Sequence, residues 1–184
     1  MARKSKRQGL RAKKAVGGRE KKPDLLTRVV LSFIFFTILV ILSTNRLVEM
    51  SRVVKVIDGD TIVLANGEEV RYIGIDTPEI SVPVTALECY GSEATTKNRE
   101  LVEGQEVKLV RDFKDRDRYG RLLRYVYLTD SKLFVNLELA QAGYARLLTV
   151  YPNVSHAKEV QSAVEKAQKE GRGMWSASNC HYPH

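Results

Sequence analysis

The sequence predicts an α+β protein in which five short strands close into a small β-barrel, with helices packed against it and an appendage at the N-terminus. Two observations lead to this class. From residue 51 onward, β-branched runs alternate with turn dipeptides and are joined by helical segments that end near glycine. Before that point, a basic tail leads into an apolar run. The 184 residues leave room for one domain of ordinary size plus this appendage.

The first strands form a predicted meander. The runs Arg52–Ile57, Thr61–Leu64 and Glu69–Ile75 are rich in β-branched residues. An Asp-Gly pair separates the first two runs, and Asn66-Gly67, a strong hairpin signal, separates the second from the third. We therefore expect three antiparallel neighbours.

The rest of the domain adds two strands and three helices. Strands are predicted at Glu106–Phe113 and Leu122–Leu128. Helices are predicted from Ser92 to Glu103, from Asn136 to Ala142 and from Ser155 to about Gly171, with serine caps on the first and last. Five strands with these helices indicate an OB-type barrel over residues 51–177, followed by a C-terminal tail of residues 178–184.

Most of the positive charge lies in the N-terminal tail. Residues 1–28 hold eleven Lys and Arg against Glu20 and Asp24, a net charge of +9, whereas the whole chain carries +8. Everything after the tail therefore sums to −1. The basic isoelectric point belongs to the tail, so by itself it is poor evidence that the domain binds nucleic acid.

An apolar run follows the tail. Val29–Ser43 contains only Ser and Thr as polar residues, and leucines and valines extend it at both ends. We predict an uncleaved transmembrane signal anchor over residues 29–48, which contacts the lipid membrane, with the tail of residues 1–28 disordered in the cytoplasm and the domain outside the cell membrane. The alternatives are a cleaved signal peptide, which would release the domain by secretion, and a buried core helix.

The chain has two cysteines, Cys89 and Cys180, and both follow the predicted anchor. In an oxidising compartment such a pair is a plausible disulfide, and two unpaired thiols are the alternative. Neither cysteine stands in a zinc-binding pattern.

Acidic residues in the first half of the domain suggest a cation site. Asp58 and Asp60 flank a glycine at a predicted turn, and Asp76 ends the third predicted strand, which can bring it beside them. Carboxylate oxygens without nearby His or Cys suit Ca²⁺ or Mg²⁺. Asp-Gly-Asp alone is weak evidence, because Asp-Gly is a common turn.

Further residues strengthen this interpretation. Glu79 adds a carboxylate just after Asp76, and Arg71 precedes Asp76 by five residues on the same predicted strand. Arg118 and Arg121 lie at a second tight turn. Guanidinium groups bind phosphate oxygens in a bidentate way, so carboxylates, a cation and arginines together indicate phosphodiester chemistry.

At this point the chain resembles the thermonuclease, or staphylococcal-nuclease-like, family. The resemblance covers residues 52 to about 177, in the order of that family. The matching segments are Val56-Ile57-Asp58-Gly59-Asp60-Thr61, Arg71-Tyr72-Ile73-Gly74-Ile75-Asp76-Thr77-Pro78-Glu79, Tyr90-Gly91-Ser92-Glu93-Ala94, Asp117-Arg118-Tyr119-Gly120-Arg121, Val135-Asn136 and Trp175-Ser176.

The resemblance implies an OB barrel with three helices and Ca²⁺-dependent hydrolysis of DNA and RNA, preferably single-stranded, to 3′-phosphate products. It implies that Asp60 and Asp76 bind Ca²⁺ directly with the backbone carbonyl of Thr77. Asp58 would act on the ion through water.

The resemblance also implies roles around the phosphate. Glu79 would orient or deprotonate the attacking water, and Arg71 and Arg121 would hold the scissile phosphate. For the substrate, it implies contacts from Arg118, Tyr119 and Tyr151. Thr149 stands where the family carries a second base-facing tyrosine, which predicts weaker base stacking.

The sequence therefore predicts a membrane-anchored calcium-dependent nuclease outside the cytoplasm, with DNA and RNA as partners and no obligate protein partner. The alternative is a catalytically inactive OB module that binds single-stranded nucleic acid or a protein. Inactive modules lose a carboxylate or an arginine of the catalytic set, and none is lost here.

Overall fold

The computed structural model describes residues 24–45, 48–79 and 89–176, and the side chains of residues 40–45 are excepted. The chain divides into two compact units, residues 1–40 and 41–184. The predicted basic tail up to residue 23 and the predicted C-terminal tail of residues 178–184 lie outside the described residues.

The first helix, α1 (Leu25–Asn45), covers most of the predicted anchor. It begins after Asp24, whose Oδ1 accepts a hydrogen bond from the backbone N–H of Thr27 at 3.1 Å. Within the described ranges, no helix has both the length and the apolar character needed to cross a membrane. The prediction of a transmembrane helix over residues 29–48 is therefore not supported.

The described strands of the second unit are β1 (Val48–Asp58), β2 (Thr61–Leu64), β3 (Glu69–Tyr72), β4 (Gly74–Asp76), β5 (Glu106–Val110), β6 (Leu122–Leu128) and β7 (Arg146–Leu148). Five of them form the predicted closed barrel, in the order β1-β2-β3-β6-β5. Neighbours in the barrel are antiparallel except β3 and β6, which are parallel. The prediction of an α+β barrel is confirmed.

The third predicted strand is divided into two. Gly74 has a φ of +86°, which glycine adopts without steric cost, and there the chain leaves the barrel. Strand β4 then pairs with β7, and Asp76 lies opposite Arg146. The sequence analysis missed β7, since three residues carry little periodic signal.

Three helices pack around the barrel, as predicted. They are α2 (Gly91–Val102), α3 (Val135–Gln141) and α4 (Ala157–Lys169), and a 3₁₀ turn follows at Gly173–Trp175. The predicted serine caps are wrong. The residue before α2 is Tyr90, in the left-handed region, and α4 is preceded by His156. The hydroxyl of Ser155 instead donates to Asp112 at 2.9 Å.

The core fills the barrel and extends under the helices. Val53 of β1, Ile62 of β2 and Leu109 of β5 are completely buried, and in β5 exposed and buried residues alternate. Leu139 of α3 and Val160 of α4 join the same cluster. One continuous core therefore holds the barrel, the β4–β7 pair and these helices together, and it fixes the positions of the strand ends that carry the acidic residues.

Candidate active site

The acidic residues meet where β4 ends beside the β1–β2 turn. The backbone N–H of Thr77 donates to Oδ2 of Asp60 at 2.9 Å, across seventeen residues of sequence. The backbone N–H of Asp60 donates in turn to Oδ1 of Asp58 at 3.0 Å. We call Asp58, Asp60, Asp76, Thr77 and Glu79 the carboxylate corner.

Two glycines allow the corner to close. A Cβ atom on Gly59 would lie 2.5 Å from Oγ1 of Thr77, and one on Gly91 would lie 2.3 Å from the backbone oxygen of Glu79. Real Cβ atoms essentially never approach this closely. The β1–β2 turn and the start of α2 are thus packed directly against Thr77 and Glu79.

A buried amide supports the corner from behind. Asn98 of α2 is completely buried, and its Nδ2 donates to the backbone carbonyl of Asp58 at 3.0 Å. Its Oδ1 accepts a hydrogen bond from the hydroxyl of Tyr72 at 2.9 Å. The sequence analysis missed this role, because it depends on how α2 packs against the barrel.

Arg71 lies between two carboxylates. Its Nη1 is 2.7 Å from Oδ2 of Asp60, and its Nη2 donates to Oδ1 of Asp76 at 2.9 Å. Nη1 also donates to the backbone carbonyl of Ile75 at 3.0 Å. One guanidinium therefore joins the two acidic residues that the sequence analysis assigned to a cation.

A second arginine reaches the corner from β7. Nη2 of Arg146 donates to Oδ2 of Asp76 at 2.9 Å. The sequence analysis did not identify Arg146, since this contact exists only because β4 and β7 pair. Asp76 therefore has one arginine on each of its carboxylate oxygens.

Burial raises the pKa of two carboxylates, Asp60 and Glu79. Asp60 is 3% exposed, and burial raises its pKa to about 7, against the opposing effect of Arg71. Burial also raises the pKa of Glu79, and the negative charge of Asp58 raises it further, whereas Arg71 and Arg121 act in the opposite direction. A cation added to this corner would stabilise the ionised form of both groups.

The chemistry of the corner suits a hard cation, although its residues are held by arginine in this structure. Asp60, Asp76 and the Thr77 carbonyl are oxygen donors of the kind that Ca²⁺ prefers. In the described ranges, no group of three or more His, Cys, Asp or Glu side chains is arranged to hold a metal ion. The donor set fits Ca²⁺ by ligand type.

The second arginine turn is organised locally. Oδ1 of Asp117 accepts hydrogen bonds from the backbone N–H groups of Tyr119 (2.9 Å) and Arg121 (3.0 Å), and its Oδ2 pairs with Nε of Arg121 at 2.7 Å. Burial alone would raise the pKa of Asp117, but these hydrogen bonds outweigh it and lower the pKa. We call residues 117–121 the cation turn. Asp117 engages Arg121 through Nε, which leaves the two terminal nitrogens of Arg121 outside this ion pair.

A cleft of about 490 Å³ is lined by residues of the cation turn and by Arg71, the partner of Asp60 and Asp76. Arg71 and Arg121 both line it, together with Arg118, Tyr119 and Tyr151. Tyr119 is 68% exposed and Tyr151 is 85% exposed. The guanidinium carbons of Arg118 and Arg121 lie 4.7 Å and 5.4 Å from the centroid of the Tyr119 ring. The structure thus brings the predicted phosphate-binding and base-binding residues to one surface.

The predicted disulfide is only half within the described residues. Cys89 is not a free thiol. Cys180 lies outside the described ranges, so the pairing of Cys89 with Cys180 stays a prediction.

Comparison with known proteins gives a consistent result. Residues 69–177 match the model of the family described as staphylococcal nuclease homologue. The thermonuclease of Staphylococcus hyicus is 38% identical over 128 residues, which cover 68% of this chain and 75% of that protein. The thermonuclease of Staphylococcus intermedius is 38% identical over 136 residues, 72% of this chain and 80% of that protein. Endonuclease YncB of Bacillus subtilis is 40% identical over 129 residues, 67% of this chain and 60% of that protein. The chain belongs to the staphylococcal nuclease homologue family.

Proposed function

We propose that this chain is a nuclease that hydrolyses phosphodiester bonds of DNA and RNA, depends on Ca²⁺ and leaves 3′-phosphate products. One observation carries the proposal. Arg71, which is paired with Asp60 and Asp76, and Arg121, from the cation turn, line the same cleft, and the charges of both arginines lower the pKa of Glu79. A phosphate in that cleft would have two guanidinium groups beside it, close enough to Glu79 for their charges to act on its carboxylate.

The two arginines would bind the scissile phosphate. A guanidinium group matches phosphate oxygens in a bidentate way and stabilises the negative charge that develops as a nucleophile attacks phosphorus. The ion pair with Asp117 through Nε positions Arg121 for this role. Arg71 is held by Asp60 and Asp76, and it would become available to phosphate if a bound cation neutralised those carboxylates.

The proposed metal ligands are the side chains of Asp60 and Asp76 and the backbone carbonyl of Thr77, with Asp58 acting through a water molecule. Their oxygen donors and the burial of Asp60 support this choice. A bound Ca²⁺ would supply a Lewis acid beside the phosphate.

Glu79 would act on the attacking water. Its pKa is raised by burial and by Asp58, which makes it a stronger base than an exposed glutamate once it is ionised. The close contact between Gly91 and the backbone of Glu79 keeps this residue at the edge of the corner.

The exposed rings of Tyr119 and Tyr151 support a preference for single strands. Unpaired bases can stack on such rings, whereas bases inside a duplex cannot. Arg118 would contact a neighbouring phosphate.

We also propose that the domain acts outside the cell membrane. This rests on the order of a basic tail and an apolar segment in the sequence. Protease added to intact cells should remove the domain from the cell-associated fraction, and protection of the domain would contradict the proposal.

The chemistry is tested with the purified full-length chain and heat-denatured DNA. Degradation should require Ca²⁺ and stop when a chelator is added. The fragments should not be extended by a polymerase until a phosphatase has removed their 3′-phosphates. Binding without degradation would instead identify an inactive OB module, and fragments that are extended directly would contradict the proposed products.

The Glu79→Gln substitution tests the proton transfer. It keeps the size of the side chain but removes the base, so we expect kcat to fall by about 10²- to 10⁴-fold. Glu100→Gln, at an exposed position of α2, is the matched control and should retain wild-type kcat. Equal rates for the wild type and Glu79→Gln would rule out the assigned role.

A further inference from the structure

Phe113 is an apolar aromatic side chain left in solvent, next in sequence to a residue that lines the cleft. It is 82% exposed, in the loop that follows β5. In the described part of the second unit, the aromatic side chains that stand out as exposed are Phe113, Tyr119 and Tyr151. Tyr119 and Tyr151 line the cleft, and Lys114, the residue next to Phe113, lines it as well. Two of these exposed rings therefore line the cleft, and the third adjoins a lining residue.

The loop of Phe113 is bonded to the loop of Tyr151. The backbone N–H of Lys114 donates to Oδ1 of Asn153 at 2.7 Å, and Nδ2 of Asn153 donates to the carbonyl of Lys114 at 2.9 Å. On the other side of Phe113, Oδ2 of Asp112 accepts the backbone N–H of Ser155 at 3.0 Å. The backbone on both sides of Phe113 is thus held against the segment that follows Tyr151.

The electrostatic surroundings of Phe113 favour a polyanion. Lys114 and Arg118, which both line the cleft, carry positive charge. The acidic residue that precedes Phe113, Asp112, has its oxygens occupied by donors from Ser155 and Tyr125. A chain of phosphates leaving the cleft past Lys114 would therefore meet positive charge with an aromatic ring beside it. This is the combination by which single-stranded nucleic acid is bound without sequence preference.

We propose that Phe113 is a further base-stacking platform, in addition to Tyr119 and Tyr151, for a base of single-stranded DNA or RNA that lies outside the catalytic cleft. This subsite deepens the proposed nuclease function and rests on it. The ring comes from the loop after β5, so a substrate must be several nucleotides long to reach it from the cleft.

The test measures binding against substrate length. Fluorescein-labelled oligothymidylates of two to eight nucleotides are titrated with full-length protein that carries Glu79→Gln, so that cleavage is slow, in the presence of Ca²⁺. Affinity should rise steeply at the length at which a base reaches Phe113. Adding Phe113→Ala to the Glu79→Gln protein should remove that rise, so the Kd for the longer oligonucleotides should increase by about 5- to 100-fold. Phe113→Leu, which keeps an apolar side chain without a ring, should remove it too.

Two further variants make the result specific. Met50→Ala truncates another exposed apolar side chain, on β1, and should keep the parental length dependence. Phe113→Trp should keep the affinity for long oligonucleotides. The added tryptophan should be quenched when a long oligonucleotide binds, whereas the parent, whose single tryptophan is Trp175, should show no such quenching.

The outcomes separate this inference from the proposed function. If wild-type protein does not cleave DNA, the nuclease function fails. If it cleaves DNA but Phe113→Ala binds every length as the parent does, only the stacking site fails. A loss of affinity that is equal for two and eight nucleotides would also overturn it, because that pattern reports a disturbed loop.

Discussion

The carboxylate corner and the cation turn are built in opposite ways. In the corner, Asp60 is buried and is bonded to Thr77, seventeen residues away. In the cation turn, Asp117 bonds to Tyr119 and Arg121 within four residues, Tyr119 is exposed, and the side chain of Arg121 is partly exposed. The difference shows that the acidic half of the site depends on tertiary packing, whereas the basic half is a local turn placed on a barrel strand.

This difference has a physical cause. Buried carboxylates are costly unless they are hydrogen-bonded and near a cation, so they need partners from several elements. An exposed arginine is hydrated and requires only a turn that points it toward its ligand. Substitutions in the cation turn should therefore lower activity with little effect on stability, whereas substitutions in the corner should lower both.

Of the three substitutions that compare these regions, Arg121→Ala should have the largest effect. Loss of a group that stabilises transition-state charge should lower kcat by about 10²- to 10³-fold. The free energy of unfolding should change by less than about 1 kcal/mol, because the Arg121–Asp117 ion pair is local and partly exposed. Steady-state kinetics and urea unfolding measure the two quantities, with Arg99→Ala on α2 as the matched control. A large loss of stability would contradict the idea that the cation turn is independent of packing.

Gly91→Ala should lower both kcat and the free energy of unfolding. The new Cβ atom would lie 2.3 Å from the backbone oxygen of Glu79, so either α2 or the end of the corner must shift. Such overpacking costs about 1 to 3 kcal/mol, and the shift should also lower kcat because it moves Glu79. Ser92→Ala, at the adjacent exposed position of the same helix, is the control. If Gly91→Ala were as stable and as active as Ser92→Ala, the corner would not depend on this close contact.

Asp112 tests whether sequence separation or burial makes the corner depend on tertiary packing. Its side chain is partly exposed, as that of Asp117 is, but its partner Ser155 is 43 residues away. Burial would raise the pKa of Asp112, but hydrogen bonds from Ser155, Tyr125 and Phe113 outweigh it and lower the pKa.

The stability that Asp112 contributes should be lost at low pH. Because the pKa of folded Asp112 lies below its unfolded value of about 3.9, its contribution to stability is complete above that pH and disappears as the pH falls through the folded pKa. Asp112→Asn should therefore be less stable than wild type at pH 7, by less than about 1 kcal/mol since the group is half-exposed. The difference should shrink below about pH 4 in urea unfolding. Asp130→Asn is the exposed control, and a difference that stays constant with pH would contradict the assignment.

The sequence analysis predicted most of the barrel because its strands and turns carry local signals. Asn66-Gly67 and the β-branched runs indicate the first hairpins without reference to the rest of the chain. The analysis missed the break at Gly74, the pairing of β4 with β7 and the use of Ser155 as a partner of Asp112 in place of a helix cap. Each of these depends on a residue far along the chain, which no local pattern records.

The sequence alone determined the residue types of the site. It also determined the turn that presents Arg121, since Asp117, Tyr119 and Arg121 interact within one turn. Only the tertiary structure decided that Arg71 joins Asp60 to Asp76 and that Arg146 reaches Asp76 from β7. It also decided that the backbone beside Phe113 is bonded to the segment after Tyr151. Short-range hydrogen bonds are encoded in neighbouring residues, whereas charge compensation and close packing in a buried corner depend on which distant elements the hydrophobic core brings together.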